Sequence, residues 1–334
     1  MEIKKPYVLF LGDVADQLAA KTADGVADWR PEWCLGQVRL PGCNADCGLT
    51  DMTVAEAKAK GGATLVVGVV NQGGFLPDHW IATIVEAIEG GMDVASGLHA
   101  RLASFPAIKA AAEKHGAQLH DLRHPTREFG TGKGIRRAGK RALTVGMDCS
   151  IGKKYTALAV ARELEGRGVN TDFRATGQTG VLIAERGIAI DAIVSDFIAG
   201  AAEWLSPEND PEHWDVVEGQ GSLFHAAYAG VTLGLLHGSQ PDALILCHEP
   251  TRKHMRGLPH MPIPKLEDAF EPYLSLGRLT NPDIRFVGIS VNTSNVSPSD
   301  GDRLMREIED RFGLPTVDPI RQGPARIVDE MLKI

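Results

Sequence analysis

Apolar residues in this chain gather in short unbroken runs, each closed by glycine or a polar residue, with stretches of helical period between them. Tyr7-Val-Leu-Phe-Leu-Gly12 and Ala63-Thr-Leu-Val-Val-Gly-Val-Val70 are the first two runs, the pattern of parallel strands buried on both faces. Over 77–89 apolar residues recur at spacings of three and four before Gly90-Gly91, which predicts a helix and its stop, and Met92-Asp-Val-Ala-Ser96 resumes as a strand. A helix over 105–115 ends at Gly116, ahead of a strand at Gln118-Leu-His-Asp-Leu122. This alternation predicts an α/β protein whose first part is a Rossmann-like open sheet, and no G-x-G-x-x-G argues for NAD.

A Gly-rich, basic and unpatterned stretch, 123–137, marks a boundary and divides the chain into domains 1–138 and 139–334. The second domain opens on the apolar strand Arg141-Ala-Leu-Thr-Val-Gly146. A helix from Lys153 to Gly166 follows, with Leu158, Val160, Ala161 and Leu164 on a buried stripe, and then a strand at Asn170-Thr-Asp-Phe-Arg174. Strand, loop, helix and strand in that order predict a P-loop NTPase-like α/β domain.

The loop itself is Gly146-Met-Asp148-Cys149-Ser150-Ile151-Gly152-Lys153-Lys154-Tyr155-Thr156. Backbone N–H groups of such a loop and of the helix start converge on one point. The helix dipole favours an anion there, and Lys153 adds a full positive charge. Five residues rather than four separate Gly146 from Gly152-Lys153, and Lys154 stands where a Walker A loop has the Ser or Thr that holds magnesium. The longer spacing, with Asp148 inside it, is similar to the G-T-D-T-x-V-G-K-T loop of dethiobiotin synthetases. Cys149, near a helix N-terminus, is either a thiol of lowered pKa or a small filler under the loop.

Composition narrows the ligand. A chain of 334 residues, 43% hydrophobic and 23% charged, has material for about two domains, and a formal charge of -8 argues against a nucleic-acid groove or an anionic membrane surface. No run is long enough to span a bilayer, and Met1-Glu-Ile-Lys-Lys-Pro lacks a leader's apolar segment, so a cytoplasmic protein is expected. Five scattered cysteines (Cys34, Cys43, Cys47, Cys149, Cys247) make no disulfide framework. Cys43-Asn-Ala-Asp-Cys47 lacks the second half of a zinc site, so no metal is expected there.

Other candidates stand where apolar strands end, the ligand side of an open α/β sheet. Val216-Val217-Glu218-Gly219-Gln220-Gly221-Ser222 ends in an acid beside glycines that permit close approach, and Glu218 is placed to hold a cation or act as a base. It is similar in placement to the glutamate of the E-G-A-G-G motif of dethiobiotin synthetases. Arg174-Ala-Thr176-Gly-Gln178-Thr179-Gly180 offers a guanidinium, hydroxyls and an amide, with Arg174 suited to clamping a carboxylate. Asp191 and Asp196 fall in an otherwise apolar segment, 188–205, which predicts burial and the raised pKa of a general base; capping a helix is the plainer role for Asp191. Arg252, Lys253 and His254 follow the apolar strand Leu244-Ile-Leu-Cys-His248, either to meet an anion or as a solvated turn. His225 is a lesser candidate, and Asn292 closes a later strand where P-loop proteins often read a base.

Leu11-Gly-Asp-Val-Ala-Asp16, Asp28-Trp-Arg-Pro-Glu-Trp-Cys34, Arg39-Leu-Pro-Gly-Cys43, the loop from Asp148 to Thr156, Thr176-Gly-Gln-Thr-Gly180 and Glu218-Gly-Gln-Gly-Ser222 together resemble the D-glutamate N-acetyltransferase family, over nearly the whole chain. The resemblance implies acetyl transfer from acetyl-CoA, as cosubstrate, to the amine of D-glutamate in D-amino-acid catabolism. The expected partners are that small amino acid and, in a homodimer, a second copy of the chain; nucleic acid and membrane are not expected. The CoA phosphates would lie in the loop from Gly146 to Thr156, with Asn292 beside them. The amino acid would meet Arg174, Thr176, Gln178, Thr179, Gln220, Ser222 and Arg252. Asp191, Asp196 or Glu218 would be the base, with the charge of Lys153 at the reacting centre. Two competing readings are an ATP- and Mg2+-dependent ligase or kinase similar to dethiobiotin synthetase, against which Lys154 counts, and a nucleotide-binding regulatory module without catalysis.

Overall fold

A computed structural model describes residues 3–70 and 74–334; Met1 and Glu2, where the leader reading starts, lie outside the described residues. The chain forms two compact units, one made of Met1–Thr126 and Gly177–Ala192, the other of Arg127–Thr176 and Ile193–Ile334.

In the first unit the strands are β1 (Tyr7–Gly12), β2 (Cys34–Arg39), β3 (Thr64–Val67), β4 (Asp93–Ser96) and β5 (Leu119–Asp121). They make one parallel sheet in the order β2-β1-β3-β4-β5. Helices α1 (Lys21–Trp29), α2 (Val54–Ala59), α3 (Ile81–Glu89) and α4 (Pro106–His115) connect them. The expected stop at Gly116 is a left-handed C-cap, φ 69°, a conformation that glycine adopts without a Cβ clash. Strand β2 has no apolar run to announce it. Its buried Gln37 is satisfied instead by the Asp46 and Asp51 carboxylates and the Cys47 N–H.

The second unit begins with β6 (Lys140–Gly146), α5 (Lys153–Gly166) and β7 (Thr171–Arg174); the chain returns to the first unit for α6 (Gln178–Ala184). It continues through α7 (Ile198–Leu205), β8 (Trp214–Val217), α8 (Ala229–Ser239) and β9 (Ala243–His248). A small antiparallel hairpin, β10 (His254–Met255) and β11 (Leu258–Pro262), precedes α9 (Phe270–Gly277), β12 (Arg285–Val291), α10 (Pro298–Phe312), β13 (Thr316–Val317) and α11 (Ala325–Met331). The main sheet runs β13-β12-β9-β6-β8-β7, all parallel, with β6 between β9 and β8. Leu143, Val145, Leu244, Leu246, Ile289 and Val291 put its apolar runs into one core. Burying each such side chain contributes on the order of 2 kcal/mol.

Arg141 anchors the start of β6. It is buried, and its guanidinium donates to the Ser206 hydroxyl and to the carbonyls of Arg137, Ala138, Gly139 and Pro207 at 2.8–3.1 Å. Enclosure lowers its pKa to about 10, and the five hydrogen bonds offset the desolvation of the charge.

Candidate functional site

β6 delivers the chain into the loop at Gly146, where a Cβ would lie 2.7 Å from Ile151 Cδ1 and 3.3 Å from the Cys247 carbonyl oxygen. The loop closes through two left-handed residues, Ser150 (φ 52°) and Gly152 (φ 115°), and α5 starts at Lys153. Among the described residues no side chain caps this helix start, and no acid stands in its first turn. Its leading N–H groups and the positive end of the dipole therefore suit an anion.

Lys153 is almost wholly buried, and its Nζ donates to the Asp148 carbonyl at 2.7 Å. Burial pushes its pKa below the ordinary 10.5. Tyr273 pins the loop from beneath: its hydroxyl donates to the Gly146 carbonyl at 2.8 Å and accepts from the N–H groups of Gly146 and Leu223 at 3.3 Å. Its pKa is raised to about 12 by burial. The Thr156 hydroxyl meets the Gly152 carbonyl at 3.0 Å and the Ser290 hydroxyl at 2.8 Å. Lys154 is half-buried, with Nζ 4.8 Å from the Tyr155 ring centroid. Asn292 lies beside the loop, its Cβ 3.9 Å from where a Cβ on Gly152 would stand.

Asp148 is fully enclosed. One carboxylate oxygen, Oδ2, accepts from Arg252 Nη1 and from the Arg256 N–H, both at 2.9 Å. Its Oδ1 is buried without a hydrogen-bond partner among the described residues. Arg252 wraps the loop, donating to the Cys149 carbonyl at 2.6 Å, the Ser150 carbonyl at 3.2 Å and Glu249 Oε2 at 2.8 Å. Its guanidinium thus braces the cradle, and Glu249 orients it.

Glu218 emerges from β8, buried, and accepts the Thr176 N–H at 2.9 Å while the Thr176 hydroxyl donates to its carbonyl at 2.5 Å. At Gly219 a Cβ would fall 1.6 Å from the Thr144 carbonyl oxygen and 3.0 Å from Lys153 Cδ, so only glycine lets Glu218 approach the loop this closely. Gln220 is half-buried with its carbonyl on the Thr232 hydroxyl, and Ser222 is buried with its Oγ on the Phe224 N–H.

Phosphate loop, Thr176, Glu218, Gln220, Ser222, Arg252 and Asn292 thus all belong to the second unit. Arg174 sits in a different environment of that unit, with Nε on Asp215 Oδ1 at 2.7 Å and Nη2 on Asp172 Oδ2 at 3.0 Å. Gln178 and Thr179 belong to α6 in the first unit, where Gln178 packs at Gly97 and the Thr179 hydroxyl meets that of Thr22 at 3.1 Å. The burial expected of Asp191 and Asp196 is not found: both are exposed. Each lies in a short 3-10 turn rather than on the apolar face of a helix, and Asp191 pairs with Arg123.

Two partners of the loop carry no local sequence signal. Tyr273 and Arg256 reach it from positions remote in the chain. The buried His225 donates from Nε2 to the Arg256 carbonyl at 2.9 Å. At the end of β9, burial lowers the pKa of His248.

Residues 128–328 match the domain of unknown function DUF1611, described as a P-loop domain, and residues 38–125 match its N-terminal partner, described as Rossmann-like. A D-glutamate N-acetyltransferase of Tritonibacter scottomollicae is 52% identical over 332 residues, covering 99% of this chain and 100% of the relative. A second protein of that name, from a Pseudoalteromonas species, is 50% identical over 98% of this chain and 99% of its own. The crystal structure of a DUF1611 family protein from Anabaena variabilis shares the fold with a TM-score of 0.91 at 27% identity, covering 99% of this chain and 100% of that one.

Proposed function

The chain belongs to the DUF1611 family of P-loop proteins with a Rossmann-like N-terminal domain, and from that premise we propose that it transfers an acetyl group from acetyl-CoA to the amine of D-glutamate, in D-amino-acid catabolism. The observation that carries this reading is the identity of about half of all positions, end to end, with two relatives named for that reaction.

The geometry of the second unit supports a division of labour. The loop from Gly146 to Thr156 takes the phosphates of the donor, with the uncapped start of α5 and Lys153 as its cationic elements. Lys154, on the half-buried rim, adds charge for the phosphate that distinguishes CoA from a plain nucleotide. With a lysine in place of the Walker A hydroxyl, the loop serves as an anion cradle in which no phosphate bond is broken. The glutamate amine must lose a proton before it attacks the thioester carbonyl. We assign that work to Glu218, which accepts the Thr176 N–H and precedes the glycine that lies against the loop lysine, whereas Asp191 is exposed and paired with Arg123. The C–N bond forms first, giving a tetrahedral oxyanion that backbone N–H groups stabilise; the C–S bond then breaks, and the proton taken from the amine passes to the sulfur, so that CoA leaves as its thiol.

Among the described residues no helix is long and apolar enough to cross a membrane; we place the reaction in the cytoplasm and the protein in a homodimer. The test is to incubate the pure protein with D-glutamate and acetyl-CoA without ATP, following free thiol and product mass. The proposal expects thiol and N-acetyl-D-glutamate in equal amounts. Absence of both, or a requirement for ATP with release of ADP, would overturn it.

A further inference from the structure

Asp148, Cys149 and His225 bring a carboxylate oxygen, a thiol sulfur and an imidazole nitrogen within 4.8 Å of one another at the phosphate loop. We infer that these three side chains form a binding site for a thiophilic divalent cation of the zinc type, with coordination left for further oxygen ligands. The inference goes beyond acetyl transfer and does not depend on it.

The donor set selects the class of ion. Sulfur, nitrogen and one carboxylate oxygen suit Zn2+ or Co2+, whereas Mg2+ and Ca2+ take all-oxygen shells, and three protein ligands with an open position are the pattern of an accessible rather than a structural zinc site. Bonds of about 2.0–2.3 Å place tetrahedral ligands roughly 3.5 Å apart, so atoms already within 4.8 Å of one another need to close by about 1 Å.

Orientation is the second support. The backbone of Arg256 holds two of the three ligands: its N–H donates to Asp148 Oδ2 at 2.9 Å, and its carbonyl accepts from His225 Nε2 at 2.9 Å. Such an outer-shell bond fixes the tautomer of a metal-binding histidine and leaves its other nitrogen, here Nδ1, as the one able to ligate. His225 Nδ1 accepts the Ala227 N–H at 3.2 Å, a local bond across two residues that a metal bond would have to replace. The remaining oxygen of Asp148, Oδ1, is the buried one without a hydrogen-bond partner among the described residues. A buried acceptor left so is costly, and a cation would satisfy it.

Charge is the third. Arg252 occupies Oδ2 and Lys153 the Asp148 carbonyl, so the ion must be balanced by the Asp148 carboxylate and a Cys149 thiolate together. The one comparable cluster among the described residues, Asp172, His213 and Asp215, is already closed by the two ion pairs of Arg174.

Metal-stripped full-length protein, titrated with Co2+, should show a thiolate-to-cobalt charge-transfer band that saturates near one equivalent. Cys149→Ser should abolish the band and His225→Ala weaken binding at least tenfold, while the double change Cys43→Ser and Cys47→Ser should leave both unaltered. Because His225 is buried and its variant can misfold, the unaltered protein supplies a second readout: bound Zn2+ should protect Cys149 from iodoacetamide, read by peptide mass spectrometry. No band in the unaltered protein, a band that survives Cys149→Ser, or equal alkylation of Cys149 with and without Zn2+ would overturn the site. Acetyl transfer by the stripped protein reads the functional proposal separately, so failure of one leaves the other standing.

Discussion

Replacing Arg252 by alanine removes three contacts to the phosphate loop at once, to Asp148 Oδ2 and the Cys149 and Ser150 carbonyls, together with the bond to Glu249 Oε2. The serious loss is the first, because Asp148 is fully buried and loses the cation paired with it. Removing one member of a buried pair costs about 3–5 kcal/mol. Two features reduce that figure here. Arg252 is 21% exposed, and Asp148 retains the Arg256 N–H at 2.9 Å. The expectation is therefore about 2–3 kcal/mol of stability for the second unit. Asp148→Asn combined with Arg252→Ala strands no charge, so the double variant should be less damaged than the sum of the singles by about 1–2 kcal/mol, well beyond the 0.3–0.5 kcal/mol scatter of independent sites. Urea unfolding read by hydrogen-exchange mass spectrometry on peptides of the second unit measures all four corners of the cycle. Additive losses, or a single-variant loss below about 0.5 kcal/mol, would refute the bracing role.

Gly219→Ala drives a Cβ to 1.6 Å from the Thr144 carbonyl oxygen, so it should lower the melting temperature and cut activity at least tenfold by displacing Glu218. Gly230→Ala, in α8 with nothing within 4 Å among the described residues, should be neutral or stabilising by up to about 1 kcal/mol; equal effects of the two changes would contradict the close approach. Lys153 has a folded pKa below the ordinary 10.5, so between those two values the unfolded chain binds the proton that the native state does not. Stability from this group accordingly rises with pH through that window, and Lys153→Met should remove the slope; identical pH dependence of unfolding in the two proteins would show the lysine to be solvated.

The parallel strands were legible because a strand buried on both faces is apolar over most of its length, as β1, β3, β6, β9 and β12 are. β2 was not, since its Gln37 is buried through carboxylates whose approach no local pattern encodes. The loop and Glu218 could be read from spacing, because phosphate binding and close approach demand glycine at fixed positions. Asp191 and Asp196 misled for a physical reason: apolar neighbours predict burial only where the backbone keeps a helical face, and both lie in 3-10 turns. Arg252 stood in the sequence as either an anion ligand or a solvated charge, and its role as the brace of Asp148 depends on a contact between residues far apart in the chain. Tyr273 and His225 reach the loop in the same long-range way, which hydropathy cannot register.

The central claim is that the loop from Gly146 to Thr156 grips the phosphate end of the acetyl donor. Comparing kcat/KM for acetyl-CoA with that for S-acetylpantetheine, which carries the same thioester but no nucleotide, tests it most directly. Two charge-assisted contacts at about 1.5 kcal/mol each predict a preference for acetyl-CoA on the order of 100-fold, largely lost in Lys153→Ala. Equal use of the two donors, or a preference untouched by Lys153→Ala, would contradict it.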